Sequence, residues 1–289
     1  MKEEFSVVGK GVPKVDGILK ATGKAVYGAD FSLPGMLYGK VLRSTVPHAK
    51  ILNIDTSKAL KLPGVRAVIT GKDFPWGMKY GFTATSRDQT PLAQDKVRYI
   101  GDEVAAVAAI DEDIAEEALD LIKVEYEELP AVFDPFEAMK KGAPQIHDYV
   151  KNNIGAEQHL DLGDVEKGFQ ESDHVREDEF STQAIKHGFL EPHASVGLWD
   201  PSGTATLWGN KQSPYIVYRK FAMAFGIPPS KMRVIQTYVG GGFGYARSDP
   251  FALDLCAIML SKKTAKPVKF VYTMEDVLVM GEMRHPYYM

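Results

Sequence analysis

Cysteine is all but missing from this chain of 289 residues. The single thiol, Cys256, excludes an internal disulfide, and it excludes a cysteine-ligated zinc or iron–sulfur site built from this chain alone. Long apolar runs are also missing. None reaches the roughly 18 residues that a membrane-spanning helix requires. The opening Met1-Lys-Glu-Glu-Phe5 lacks the basic-then-apolar order of a secretory leader, so a cytoplasmic protein is expected. No excess of basic charge exists either. With 34 Lys and Arg against 38 Asp and Glu, the net charge is −4, which leaves no electrostatic footprint for nucleic acid or an anionic lipid surface. Internal repeats and low-complexity segments are absent. So are the phosphate-loop ending Gly-Lys-Ser/Thr, the Gly-x-Gly-x-x-Gly dinucleotide fingerprint, the Gly-x-Ser-x-Gly elbow and the His-Glu-x-x-His zinc motif.

What remains is an ordinary globular composition, 45% hydrophobic and 25% charged, with enough apolar residues for a core and a length that suits about two domains. Residues 6–30 are rich in turn residues and read as an extended arm with short strands. Alternation then predicts strands at 37–43, 50–55, 65–70, 96–100, 104–109 and 124–127, with helices at 56–60 and 111–122. Acids in the first turn of the 111–122 helix suit its dipole. The acids of Val124-Glu-Tyr-Glu127 read as a solvated strand face. Residues 131–160 read as a connector, in which His147 and His159 are taken as surface histidines. A second unit begins near Gly163. It holds a polar strand at 172–182, a hairpin formed by 195–199 and 204–208, and a helix from 215 to 225 with Ser213 as N-cap and Pro214 at its first position. A strand at 232–239, a helix from 250 to about 262 and a last strand at 267–272 follow. Cys256 lies in the apolar run 251–260 and reads as a buried, inert thiol.

One stretch carries a chemical signal. Val239-Gly-Gly-Gly-Phe-Gly-Tyr245 has four glycines within five residues, between a strand and a helix. Such a loop can turn its backbone N–H groups on an anionic or oxygen-rich ligand, because glycine accepts positive φ and lets a ligand reach the main chain. A tight turn with no ligand explains the same pattern. His187, Glu191 and His193 sit close in sequence, but Pro192 breaks any helix that would align them, so hydrogen-bonded polar residues supporting a loop are favoured over a metal site. Gln212 is a neutral amide at a strand end, able to donate to the same ligand as the glycine loop.

Further motifs fall in order along almost the entire chain: Val8-Gly-Lys-Gly-Val-Pro-Lys-Val-Asp-Gly17, Thr22 to Asp30, Leu42-Arg-Ser44 with Pro47-His-Ala49, Tyr99-Ile-Gly-Asp-Glu-Val-Ala-Ala106, Glu191-Pro-His193, Gln212, Gly240-Gly-Gly-Phe-Gly244 and Arg284-His-Pro286. In these the chain resembles the molybdenum-cofactor subunits of the xanthine dehydrogenase/aldehyde oxidase family. The resemblance implies an α+β fold. An α/β hammerhead domain with an N-terminal arm would occupy 1–130, a connector 131–160, and the first part of a molybdopterin-binding domain 161–289. By similarity Gln212 would hydrogen-bond an oxo ligand of molybdenum, and the main chain of Gly240, Gly241, Gly242, Phe243 and Gly244 would lie against the metal ligands or the pterin. The cofactor implied is molybdenum-molybdopterin in its cytosine dinucleotide form. The reaction implied is hydroxylation, or in some members dehydroxylation, of an electrophilic carbon in an N-heterocycle, aldehyde or aromatic acyl compound. Electrons would leave through [2Fe-2S] clusters to FAD on partner subunits.

Two departures from the family pattern matter. The segments that carry the family's catalytic glutamate do not follow Arg284-His-Pro286, so no catalytic residue is assigned to this chain and a second molybdenum-subunit chain is expected to supply the base. Purine-oxidising members carry a glutamate where this chain has Arg247, which suits an anionic or carbonyl-bearing substrate or a structural ion pair. The alternative expectation is a truncated, non-catalytic paralogue that acts as a docking scaffold.

Overall fold

The computed structural model describes residues 5–75, 77–81, 88–243, 252–279 and 283–289. Within them the chain forms two sheets. The strands are β1 (Leu37–Arg43), β2 (Ala49–Asp55), β3 (Val65–Thr70), β4 (Lys96–Val97), β5 (Glu103–Ala109), β6 (Lys123–Glu128), β7 (Ala194–Trp199), β8 (Ala205–Gly209), β9 (Met232–Gln236) and β10 (Val268–Val271). The helices are α1 (Gly17–Ala21), α2 (Ser57–Lys61), α3 (Glu112–Asp120), α4 (Pro135–Met139), α5 (Val165–Glu171), α6 (Pro214–Phe225), α7 (Ala252–Thr264) and α8 (Met274–Val279).

The larger sheet has seven strands in the order β3-β5-β1-β10-β7-β8-β9, and the smaller has three in the order β4-β2-β6. The large sheet draws β1, β3 and β5 from the first half of the chain and the rest from the second. The seam is the parallel pairing of β1 with β10, where Gly39 faces Phe270. β5 lies between β3 and β1 and is buried on both faces, which is why Val104-Ala-Ala-Val-Ala-Ala109 is a continuous apolar run and not an alternating one. Ala106 and Ala108 join the core beneath α7, whereas Ala105, Val107 and Ala109 pack with Ala115 and Ala118 of α3.

α7 is the central helix, with Leu253, Leu255, Cys256, Ile258 and Leu260 all fully buried. Its close approach to β7 depends on Gly197. A Cβ there would stand 2.7 Å from backbone atoms of Ala257 and Ile258. Ser261 Oγ fastens the far end of the helix by accepting from the Trp199 amide at 2.9 Å. Burial pushes the Cys256 thiol well above its usual pKa, with Glu103 adding to the shift, so the thiol is inert as its sequence suggests.

Several expectations need correction. The arm holds α1 and a single bridge from Tyr27 to Tyr238, and no strand. Residues 173–180 form no strand. They are exposed throughout, and the pairing of the expected 172–182 strand is confined to its end, where Phe180 and Thr182 bond to Met289 and Tyr287 and Ser181 bridges Tyr288. The 96–100 strand shortens to two residues, and 232–239 ends at Gln236. Ser213 does not cap α6 through its side chain, although Pro214 opens the helix and Gly226 closes it in the left-handed conformation. His147 is half-buried. Burial, followed by Arg98, lowers its pKa, whereas His159 is exposed as expected. The acids of β6 do face solvent. No helix among the described residues is long and apolar enough to cross a membrane.

Candidate functional site

The pairing directions place one set of strand ends along a single edge of the large sheet. The carboxyl ends of β3, β1, β10, β8 and β9 lie there, together with the amino ends of β5 and β7. β8 and β9 are parallel, with Gly209 opposite Gln236, and α6 makes the crossover between them. The carboxyl ends of adjacent parallel strands are where open α/β sheets present loops and helix N-termini to ligands. Here β8 runs on into Asn210-Lys-Gln212 and α6, and β9 runs on into the glycine tract.

The two loops are tied at their roots. The Thr237 amide donates to Gly209 O at 3.0 Å, and the Tyr238 amide reaches back to Val26 O at 3.3 Å. The Tyr27 and Tyr238 rings meet at a tilt of 49°, with centroids 5.9 Å apart, so the N-terminal arm flanks the tract. Glu191 supplies the next tie. Its carboxylate accepts from the Gly240 amide at 2.5 Å and from the Gly28 amide at 3.3 Å, joining the arm, the tract and the segment before β7. The contact is close enough that a Cβ on Gly240 would lie 2.6 Å from Glu191 Cβ. The expectation that the 187–193 residues support a loop therefore holds for Glu191. His193 is buried with its ring edge-on to Phe189 at 5.5 Å and to Tyr272 at 6.4 Å.

Beyond Gly240 the main chain takes an unusual course. Gly241 has φ +107°, and Phe243 has φ +50° while 75% of its surface is exposed. A bulky residue held in the left-handed region beside a glycine is a local outlier of the kind that gathers at ligand clamps. Gln212 is exposed at the neighbouring strand end. The structure thus brings Gln212 and residues 240–243 to one edge. Gly244 and Arg247 lie outside the described residues.

Sequence reasoning missed a buried ion pair beneath these loops. Lys211 Nζ lies 2.5 Å from Asp254 Oδ2, and both side chains are fully buried. Asp254 also accepts from the Ser195 hydroxyl. An aspartate inside the apolar run 251–260 was the available signal, because aspartate is almost never fully buried unless paired. A second charged cluster lies at the β3–β5–β1 end of the same edge. Arg43 pairs with Glu103 at 3.0 Å and with Asp276 of α8 at 2.8 Å, and it donates to Gly101 O at 3.1 Å. Burial opposes its charge, but Tyr272, Glu103 and Asp276 outweigh that effect. Asp102 beside it is pushed up to about 7, first by burial and then by Glu103.

The open part of the edge therefore offers a neutral amide, bare main chain and an aromatic face. Among the described residues there is no group of three or more His, Cys, Asp or Glu placed to hold a metal ion. This donor set suits a bulky, oxygen-rich ligand, and it suits a metal that arrives with ligands of its own. The missing side chains of Gly240 and Gly241 let Glu191, Phe189 and Phe243 pack against this main chain.

Comparison with known proteins agrees with that donor set. Residues 22–130 match the family model described as the aldehyde oxidase and xanthine dehydrogenase a/b hammerhead domain, and residues 146–289 match the molybdopterin cofactor-binding domain. The nicotinate dehydrogenase large molybdopterin subunit of Eubacterium barkeri is 40% identical over 286 residues, which is 99% of this chain and 66% of that protein. Among solved structures, reconstituted CO dehydrogenase from Oligotropha carboxidovorans matches with a TM-score of 0.88 at 34% identity, over 97% of this chain and 37% of that one. Quinoline 2-oxidoreductase from Pseudomonas putida 86 matches with a TM-score of 0.84 at 30% identity, over 95% of this chain and 36% of that one. The chain thus spans just under two thirds of the first relative and little more than a third of the two solved chains.

Proposed function

The chain belongs to the molybdenum hydroxylase family of the xanthine dehydrogenase/aldehyde oxidase type, and on that premise we propose that it forms one side of the molybdopterin cradle in an oxidoreductase. Its fold is a hammerhead domain followed by the start of the molybdopterin-binding domain. The reaction proposed is hydroxylation or dehydroxylation at an electrophilic carbon of an N-heterocycle, aldehyde or aromatic acyl compound. The observation that carries this reading is the placement of exposed Gln212 and the 240–243 main chain in the loops that leave the carboxyl ends of adjacent parallel strands.

Molybdenum-molybdopterin, in the cytosine dinucleotide form, supplies the two-electron chemistry when bound; the protein's share is to bind, orient and tune. Gln212 would donate from its side-chain amide toward the metal's oxygen ligands. The Gly241, Gly242 and Phe243 main chain would lie against the same group. Donors fixed in place by the fold need no reorganisation as charge develops on the substrate carbonyl or ring. Glu191 holds Gly240 and so fixes the root of the loop; its carboxylate is engaged by two backbone amides. We assign the catalytic base to a second molybdenum-subunit chain, and the [2Fe-2S] clusters and FAD to further partners. For Arg247 we propose only a preference for an anionic or carbonyl-bearing substrate. Substrate-dependent dye reduction by the complex across N-heterocycles, aldehydes and aromatic acyl-CoAs tests the reaction class. Turnover with one class is expected, and no turnover by a molybdenum-replete complex with any class would overturn the assignment.

A further inference from the structure

Lys211 and Gln212 are consecutive, yet one is fully buried and the other exposed. Lys211 points inward because its ammonium meets Asp254 at 2.5 Å, with no solvent at either side chain. Asp254 lies in the first turn of α7, the helix that follows the glycine tract. Its second oxygen accepts from Ser195 of β7, whose residue partner across the sheet is Gly209 at the end of β8. A Cβ on Gly209 would lie 2.8 Å from Ala194 O and 3.1 Å from Ser195 Oγ, so the β8 end is pressed against this network. The Lys211 amide also donates to Gly209 O at 2.8 Å, which tightens the turn that presents Gln212.

Buried ion pairs add little stability over apolar residues of equal volume, because desolvation cancels much of their attraction. Their geometry is nevertheless unique: a buried ammonium has one place to go. We propose that Lys211 and Asp254 are positioning residues that lock the Gln212 loop to the helix leaving the glycine tract, so that the two halves of the cradle hold one fixed spacing. The placement of the loops stands on this structure alone; its consequence for the cofactor rests on the functional reading above.

The test is the paired replacement Lys211→Met with Asp254→Leu in the complex purified with its partners, since an apolar pair of similar volume restores packing without the directional contact. The melting temperature is expected to hold. Amide hydrogen exchange is expected to quicken by about tenfold in 209–213 and 237–243 together and nowhere else, and pterin retained after gel filtration is expected to fall. Ser195→Ala, which removes only the hydroxyl that orients Asp254, is expected to quicken the same two segments by about threefold. Unchanged exchange in both segments, or exchange that quickens across the whole sheet with a fallen melting temperature, overturns the proposal and makes the pair ordinary core. Wild-type complex without pterin would remove the functional reading while leaving the exchange result to decide the coupling.

Discussion

Two ends of one sheet edge solve the problem of exposed strand termini in opposite ways. At the β3–β5–β1 end the edge is closed. Arg43 is shared between Glu103 and Asp276, and the Tyr99 hydroxyl donates to Glu103 at 3.3 Å, so charge and hydrogen-bonding capacity are consumed internally. At the β8–β9 end charge is buried more deeply, in Lys211 and Asp254, and lies beneath the loops, and what reaches the surface is an amide, glycine backbone and Phe243. The difference teaches where to look for chemistry. Buried charge at the closed end holds the two halves of the chain together, whereas buried charge at the open end shapes a surface left for something else.

The contrast can be broken most forcefully at the closed end. Arg43→Met leaves Glu103 and Asp276 without their cation, and breaking one partner of a buried pair costs about 3–5 kcal/mol. Denaturant unfolding should show that loss, with pterin per folded molecule unchanged; a stable variant that loses pterin would erase the distinction between the ends. Next, Gln212→Ala at the open end should leave the unfolding curve in place, because the side chain is exposed. It should lower kcat by roughly 10²–10³-fold, the usual effect of deleting one preorganised donor. A fall in stability with kcat intact would make Gln212 a structural residue.

Smaller effects sharpen the picture. Glu191→Gln keeps the shape of the tie to Gly240 and Gly28 but removes its charge. A loss of about 1–2 kcal/mol is expected, with faster exchange at Gly240 as the check; no change at that amide would detach Glu191 from the loop. The effect at Asp102 depends on pH. Its folded pKa is raised to about 7, so the folded protein holds this proton more tightly than the unfolded chain. The resulting stabilisation is complete below about pH 4 and drains away as pH rises through 7. Asp102→Asn should therefore gain on the wild type by about 2–3 kcal/mol between pH 5 and pH 8. Parallel stability curves for the two proteins would contradict the assignment.

The elements that the sequence announced were those with local causes. β3 and the 205–209 half of the hairpin follow alternation and turn residues, and α6 stops where Gly226 allows a left-handed residue. The polar strand expected at 172–182 shrank to a bridge at Ser181, because only its last residues meet a partner, at 287–289. The union of β1 with β10 joins residues more than 200 positions apart, and no local pattern encodes it. The site divides in the same way. Gln212 and the glycine loop were legible as residue types at strand ends. The Glu191 tie to Gly28 and the Lys211–Asp254 pair were not, since each joins loops or helices that are far apart in the sequence.

The central claim is that the open end holds a molybdenum pterin. Molybdenum and pterin should be measured in the complex captured through a tag on this chain, for the wild type and for Gly240→Val, whose side chain would collide with Glu191. The account predicts equimolar molybdenum and pterin in the wild type and a near-complete loss of both in the variant with the complex still assembled. An intact wild-type complex devoid of molybdenum, or a variant that retains its full complement, would contradict it.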